Sequence, residues 1–412
     1  MADPIVAGDK VFPLLEGLTV ETVGDHGWNV VAGDLLLPAM VLRESALSHN
    51  LHVMAGWCEE QGVSLAPHGK TTMAPQLFRR QLDAGAWAIT AATVAQARLM
   101  RSFGIERVLL ANQVVDPAGV AWLGRELARD AGAWIACLVD SVAGVEALSR
   151  HGGSRPVPVL VELGVPGGRT GCRSMNEARA VADAVTTSPA LVLAGVEAFE
   201  GVLHEAEDQA GVDSFLADVR ALAEGMAADG CFSDVDEVVV SAGGSVWFDR
   251  VVEVMRGLDL GMDKPARVVL RSGCYLTHDD GVYDRLSPFG RARRVATERF
   301  VPAIEVWAAV LSRPEPDLVL VGMGKRDTAH DSDLPGPEQV VHAGAMRPAV
   351  GMSVFDLNDQ HAFVRVPPSD PVSPGDFMSF GISHPCTAFD KWRVIPVVDD
   401  ERTVIGAVRT YF

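Results

Sequence analysis

Lysine is scarce in this 412-residue chain: Lys10, Lys70, Lys264, Lys325 and Lys391 are the full set. Lys70 stands in SLAPHGKTTMAP (64–75), just after a short apolar run. A strand-end lysine whose pKa is lowered by desolvation can attack a carbonyl and form an imine. Taken alone, it is equally an ordinary solvated side chain. Gly69-Lys70-Thr71 also brushes against a phosphate-loop pattern, but that pattern needs a glycine at position 64, where Ser64 stands.

Three further groups carry chemical potential. SAGGS (241–245) and SGCY (272–275) each follow an apolar run. Such turns let backbone N–H groups converge on an anion, with Ser241 and Ser245 adding hydroxyl donors. In ELGVPGGRTGCR (162–173), Arg169 can offer its planar fork to a phenolate or carboxylate. Near the end, His384-Pro385-Cys386 puts an imidazole and a thiol at i and i+2, which share one face of an extended strand. Such a pair can share a zinc ion. Each signal has a plain reading as well: two common turns, a surface arginine, a chance H-x-C.

The elements needed to position these groups have a clear rhythm. Strand-like runs occur at 64–69, 86–92, 107–112, 134–140, 157–163, 191–197, 237–242 and 267–273. Several are continuously apolar, the mark of parallel strands covered on both faces. Helical spacing fills the gaps, as in 74–84, 94–103 and 174–188. Ser174 followed by Glu177 reads as a capping box. Eight strands alternating with helices predict an α/β fold of the (β/α)₈ barrel type, with a doubly wound open sheet as the alternative. In a barrel, Lys70, Arg169 and both glycine turns lie at the C-terminal strand ends, where active sites form. Beyond residue 288 the helices stop and short β segments with Pro/Gly turns take over. The reading is therefore an N-terminal segment 1–36 packing on a β domain, a barrel over 37–288, and an all-β domain over 289–412. Residues 324–338 read as a loop.

Composition narrows the function classes. The formal charge is −19. No basic excess exists to neutralise nucleic-acid phosphates or cling to an anionic membrane. No apolar run approaches the roughly 20 residues of a spanning helix. The N-terminus lacks a signal-peptide pattern. The six cysteines show no CxxC pairing, which reads as reduced thiols in a cytoplasmic protein.

In their order, these segments resemble the D-serine dehydratase and D-threonine aldolase family of fold-type III, alanine-racemase-like pyridoxal-phosphate enzymes. The resemblance runs from LPAMVLRESALSHNL (37–51) through APHGKTTMAPQLFRRQLDAGAWAITAATVAQARLM (66–100). It continues through ELGVPGGRTG, VVVSAGGS and RSGCY to PGDFMSFGISHPCTAFDKW (374–392). It implies that Lys70 carries pyridoxal 5'-phosphate as a Schiff base, and that Arg169 flanks the phenolic oxygen. It implies that Ser241, Gly243, Gly244, Ser245, Gly273, Cys274 and Tyr275 form the phosphate turns. His384 and Cys386 would bind zinc or another divalent metal. Two departures stand out. GVEAFEG (195–201) places Glu197 or Phe199 in the ring environment, where a tyrosine or histidine is common. Cys274 stands where threonine or asparagine is commoner. The implied reaction is dehydration of a D-3-hydroxy amino acid such as D-serine to a 2-oxo acid and ammonia. The alternatives are retro-aldol cleavage to glycine and an aldehyde, and racemisation. The resemblance also implies a homodimer.

Overall fold

The computed structural model describes residues 3–13, 15–203, 208–291, 294–295 and 298–412. The chain opens its regular structure with β1 (Ala39–Arg43) and α1 (Glu44–Gln61). A β/α alternation follows: β2 (Ser64–Leu65), α2 (Pro75–Asp83), β3 (Ile89–Ala91), α3 (Val94–Ser102), β4 (Arg107–Gln113) and α4 (Pro117–Arg129). It continues as β5 (Trp134–Val139), α5 (Val142–Leu148), β6 (Val157–Leu163), α6 (Met175–Thr186), β7 (Leu191–Ala198) and α7 (Gln209–Ala228). It ends with β8 (Val238–Ala242), α8 (Phe248–Met255) and β9 (Ala266–Leu270).

Strands β2 to β9 form one parallel eight-stranded sheet in the order β2-β9-β8-β7-β6-β5-β4-β3. Its two ends meet. Trp87 N–H donates to Leu65 O at 2.7 Å, Thr90 N–H to Pro67 O at 2.9 Å, and His68 bridges Thr90 in parallel. The expected barrel is therefore present. The eight predicted runs overlap these strands, the first only at Ser64–Leu65, and those from β5 to β8 are buried on both faces almost throughout. The interior is filled with small and branched side chains: Ala66, Ala88, Leu109, Ala136, Leu138, Leu160, Val239 and Val269. At α6, Ser174 Oγ accepts from Glu177 N–H at 3.2 Å. The return bond of the predicted box goes one residue further out, from Arg173 N–H to Glu177 at 2.7 Å.

After a short α9 (Val282–Leu286) come β10 (Ile304–Glu315), β11 (Leu318–Val321), β12 (Gly336–His342), β13 (Ala345–Pro348) and β14 (Ser353–Leu357). Then follow β15 (Ala362–Arg365), β16 (Phe377–Gly381), β17 (Val394–Val398) and β18 (Val404–Arg409). They build a second, mixed sheet, and this sheet takes in β1. β1 pairs antiparallel with β10 in the register Ala39↔Trp307, and parallel with β17 through Leu42↔Val397. Residues 37–51, read as the barrel's opening, thus contribute their strand to the all-β sheet. A lone buried strand carries no mark of which sheet it will join.

The compact units divide accordingly. One comprises the described residues of Met1–Met54, Thr71–Arg80 and Cys274–Phe412, the other Ala55–Lys70 and Gln81–Gly273. The boundary falls earlier than 288 because 274–288 is tied to β elements: Asp280 N–H donates to Ile382 O, and Ala303 N–H to Thr277 O. The N-terminal segment lies on β17–β18. Val404 N–H donates to Trp28 O, and Arg409 pairs with Asp3 and Asp9. Among the described residues no helix is long and apolar enough to cross a membrane.

Candidate active site

The strand ends of the barrel gather the charged groups. Lys70 sits, half-buried, on the short helical turn Gly69–Thr71 directly after β2. Two residues earlier, His68 is held by its own N–H, which donates to Arg271 O at 3.2 Å. Burial drives the His68 imidazole well below its usual pKa, and Lys70, Arg271 and Arg169 push the same way. A neutral ring is the result, and its buried Nδ1 has no partner among the described residues.

Parallel register sets the next row. Glu162 on β6 pairs with Glu197 on β7, Glu197 with Ser241 on β8, and Ser241 with Val269 on β9. Arg271, just past β9, reaches back to this row. It lies 2.5 Å from Glu197 and donates to Ser241 Oγ at 2.8 Å and to Ala198 O at 3.1 Å. Both members of the ion pair are buried. Burial raises Glu197 to about 8, with the Arg271 guanidinium pulling the other way. Its second oxygen, Oε2, is buried and unpartnered. Glu162 is also raised by burial, while Gln113 and Thr170 hydrogen-bond it.

The glycine turns are knitted together. Arg271 N–H donates to Gly243 O, and Ser272 Oγ donates to Gly243 O at 3.1 Å and Gly244 O at 3.0 Å. Gly243 has φ +95°, and a Cβ there would sit 2.7 Å from Leu270. A Cβ on Gly273 would meet His68 O at 2.5 Å. Only glycine permits either approach. The N–H groups of Gly243 and Gly244 converge on one anion, as a nest does. That anion is the buried Glu200 carboxylate, at 2.9 and 2.6 Å.

Several sequence-predicted residues meet here and others do not. Lys70, Gly243, Gly244 and Gly273 lie at the strand ends. Ser245 is half-buried in the same turn. Ser241 is a correction: its hydroxyl points into the sheet, donating to Val269 O at 3.1 Å and accepting from Arg271, so it does not line the turn. Arg169 is exposed and stacks over Phe199 at 4.1 Å. Of the two residues assigned to the ring environment, Glu197 is the partner of Arg271 and Phe199 the platform of Arg169. His68, Glu200 and Arg271 were missed. An arginine ending the apolar run RVVLRSG was a readable signal, whereas nothing marked Glu200. The cavity of 1070 Å³ bounded by Trp87, Trp134, Arg107 and Arg267 lies at the opposite, N-terminal strand ends.

The residues fit pyridoxal phosphate. The ligand is a polyanion with a ring nitrogen. Lys70, Arg169 and Arg271 supply cations, the Gly243–Gly244 nest has anion-binding geometry, and His68 Nδ1 and Glu197 Oε2 are orphaned polar atoms.

The second cluster belongs to the β unit. Cys274, Cys386, Thr71, Tyr283, His384 and Asp331 come together there. The Cys274 and Cys386 sulfurs are 3.6 Å apart. Thr71 Oγ1 lies 3.2 Å from Cys386 Sγ and 3.8 Å from Cys274 Sγ. The Tyr283 ring stands edge-on to His384 at 6.0 Å. The hydrogen bond with Cys386, then burial, hold the Cys274 thiol well above its usual pKa. His384 has φ +72°, a left-handed conformation that costs a non-glycine residue strain. Asp279 holds it there, accepting His384 N–H at 3.0 Å and the N–H groups of Gly281 and Tyr283 at 2.9 Å. His384 Nδ1 is 2.6 Å from Asp331. That contact leaves Nε2 for a ligand, the arrangement typical of metal-binding histidines. The donor set suits a divalent metal of zinc character. Among the described residues no three or more His, Cys, Asp or Glu side chains stand ready-made around one point. Tyr275 packs against Phe300 at 5.9 Å.

Comparison with known proteins agrees with this architecture. The family model for the alanine racemase N-terminal domain matches residues 42–256, and that of the "Putative serine dehydratase domain" matches 303–398. D-threonine aldolase of Arthrobacter sp. is 28% identical over 337 residues, 80% of each chain. 3-Hydroxy-D-aspartate aldolase of Paracoccus denitrificans (strain Pd 1222) is 24% identical over 313 residues, covering 73% of this chain and 75% of the relative. Among solved structures, D-threonine aldolase from Filomicrobium marinum superposes with a TM-score of 0.77 at 24% identity, covering 93% of this chain and 97% of the other. D-threo-3-hydroxyaspartate dehydratase from Delftia sp. HT23 gives 0.70 at 20% identity, covering 93% and 99%. The chain therefore belongs to the alanine-racemase-like, fold-type III family of pyridoxal-phosphate enzymes, with a serine dehydratase-type domain matched over its β part.

Proposed function

We propose that the protein is a lyase that removes water and then ammonia from a D-3-hydroxy amino acid such as D-serine, leaving a 2-oxo acid. The observation that carries this reading is the His384-x-Cys386 pair, whose imidazole is oriented by Asp331. Thiolate and imidazole favour zinc, whereas a carboxylate in place of the thiol would favour a harder ion. A metal on His384 and Cys386 supplies Lewis acidity to the substrate's β-hydroxyl, so that it can leave. Bound pyridoxal phosphate supplies the electron sink for the charge left at Cα.

The chain's own groups do the rest. Lys70 would hold the cofactor through Nζ, and its amine, when free, is the base that would take the Cα proton of the substrate. The pull of Arg169 on an anionic oxygen is steadied by its stacking on Phe199. Arg271 and Glu197, locked together at 2.5 Å, are the buried polar pair that a bound cofactor would meet at the strand ends. Gly243, Gly244, Ser245 and the turn Gly273–Tyr275 grip the phosphate. For the first two, the phosphate must share or displace the Glu200 contact. We further propose a homodimer with two-fold symmetry.

A second reading, retro-aldol cleavage, is favoured by the aldolase relatives. For the dehydratase reading, solved D-threo-3-hydroxyaspartate dehydratase structures include variants at a histidine and at a cysteine two positions on, the cysteine variant being metal-free. The test is a panel of D- and L-3-hydroxy amino acids assayed for both 2-oxo acid and aldehyde. Release of 2-oxo acid and ammonia from D-substrates supports dehydration. Aldehyde and glycine as the dominant products overturn it.

A further inference from the structure

Position 274 opens the short helical turn that follows Gly273. This chain has a thiol there, and the β unit places it beside the thiol of the H-x-C pair. We propose that Cys274 is a second thiolate ligand, so that the metal is held by Cys274, Cys386 and His384, and that this commits the site to zinc. The inference rests on the reading of His384 and Cys386 as a metal pair.

The geometry is that of a pre-formed edge. Two thiolates on one tetrahedral zinc, each bonded at about 2.3 Å, stand about 3.8 Å apart. The Cys274 and Cys386 sulfurs stand 3.6 Å apart, while their residues lie 112 positions apart in the chain. Two buried or half-buried sulfurs brought that close gain little from each other, because a thiol is a weak donor and a weak acceptor. As two ligands they gain a great deal.

The surroundings are also those of thiolate ligands. Thr71 Oγ1 lies within hydrogen-bond reach of both sulfurs, 3.8 Å from Cys274 and 3.2 Å from Cys386. Hydroxyls that can donate to sulfur are the usual outer support of a metal-bound thiolate. His384, its Nδ1 held by Asp331, keeps Nε2 for the metal; among the described residues it does not yet stand around one point with the two sulfurs, so its ring must swing in to complete the set, and one position stays open for substrate. The sulfurs are the fixed part of the site and the imidazole the adjustable part. Soft sulfur donors then select zinc over manganese or magnesium.

The experiment is metal spectroscopy on the cofactor-loaded full-length protein. Zinc-edge X-ray absorption should show two sulfur scatterers at about 2.3 Å. Replacing zinc by cobalt(II) should give a near-ultraviolet thiolate-to-cobalt band that Cys274→Ser and Cys386→Ser each cut by half. Losing a partner behind a ligand costs about 10- to 100-fold in affinity, so losing Cys274 as a ligand should weaken zinc by more than about 100-fold. Should Cys274→Ser fail to fold, the sulfur count on the unaltered protein still decides. One sulfur per zinc, or a Cys274→Ser protein with an undiminished cobalt band, overturns the proposal and leaves the His384–Cys386 reading standing. A protein that binds neither metal overturns both.

Discussion

The two chemical clusters are built by different means. In the barrel, Glu162, Glu197, Ser241 and Val269 are register partners across β6 to β9, and Arg271 locks onto that row. Their positions follow from strand pairing, so moving any one of them means breaking a sheet. In the β unit, His384 stands at a strained φ held by Asp279 and Asp331, and Cys386 sits on the short helical turn Pro385–Thr387 with its sulfur against Thr71 and Cys274. The first arrangement suits a cofactor whose ring and phosphate need several fixed anchors at once. The second suits an ion, which needs few donors and some freedom to adjust.

The largest test of that contrast is Lys70→Ala. With every other anchor intact, the variant should still take up cofactor without a covalent bond, yet activity should fall at least about 1000-fold, or about 4 kcal/mol of barrier. Borohydride followed by mass spectrometry should place the adduct of the unaltered protein on Lys70. An adduct on any of the other four lysines would remove the barrel site from the chemistry.

Stability should separate the clusters next. Glu197→Ala strands a buried guanidinium and should cost about 3 kcal/mol, read as a lower denaturant midpoint at unchanged slope. Asp331→Ala removes an exposed partner and should cost less than about 1 kcal/mol. Equal losses would show that the β cluster is as rigid as the barrel row.

This contrast also explains what the sequence disclosed. The eight barrel strands were legible because continuous apolar runs admit few other folds, and Lys70 and the glycine turns were legible as punctuation after those runs. β1 was not, since pairing between residues 39 and 307 leaves no local trace. Nor was the nearness of Cys274 and Cys386, which depends on how two loops of the β unit close. Glu200 was hidden for another reason. Its role comes from the two N–H groups it meets, and a backbone N–H is the same in every sequence.

Third in size is Cys386→Ala. It should lose most of the metal and at least about 100-fold of the dehydration, about 2.7 kcal/mol, while the absorbance of the Lys70-bound cofactor persists. Chelation of the unaltered protein should do the same. Because a bound thiol must be deprotonated, metal occupancy should fall as pH drops. Full ammonia release by metal-free protein would make the H-x-C stretch a structural feature only.

The smallest expected effect lies in the β unit beside the second cluster, and it concerns two carboxyls. Burial pushes Asp280 up to about 8, and Glu338, Asp279 and Asp284 add to it; Glu338 is raised to about 7, by burial and then by Glu305. Arg43 and Arg402 pull Glu338 back without cancelling the rise. Asp280 Oδ2 is buried beside the Glu338 carboxyl, and Gly381 leaves just enough room, since a Cβ there would sit 2.3 Å from that oxygen. These groups keep their protons in the folded protein at pH values where the unfolded chain has lost them. Their contribution to stability is therefore fully present below about pH 4 and is lost as pH rises toward 8. Asp280→Asn keeps the neutral form at every pH, so its midpoint of unfolding should fall less steeply between pH 5 and 8, by about one proton's worth of slope. The barrel row provides the control. Glu197, also raised to about 8, has Arg271 at 2.5 Å, so Asp280→Asn should leave the Glu197 part of the slope untouched. A pH profile of stability that is identical in Asp280→Asn and the unaltered protein would show that Asp280 is ionised in the folded state, and that the loops around it admit more water than their packing indicates.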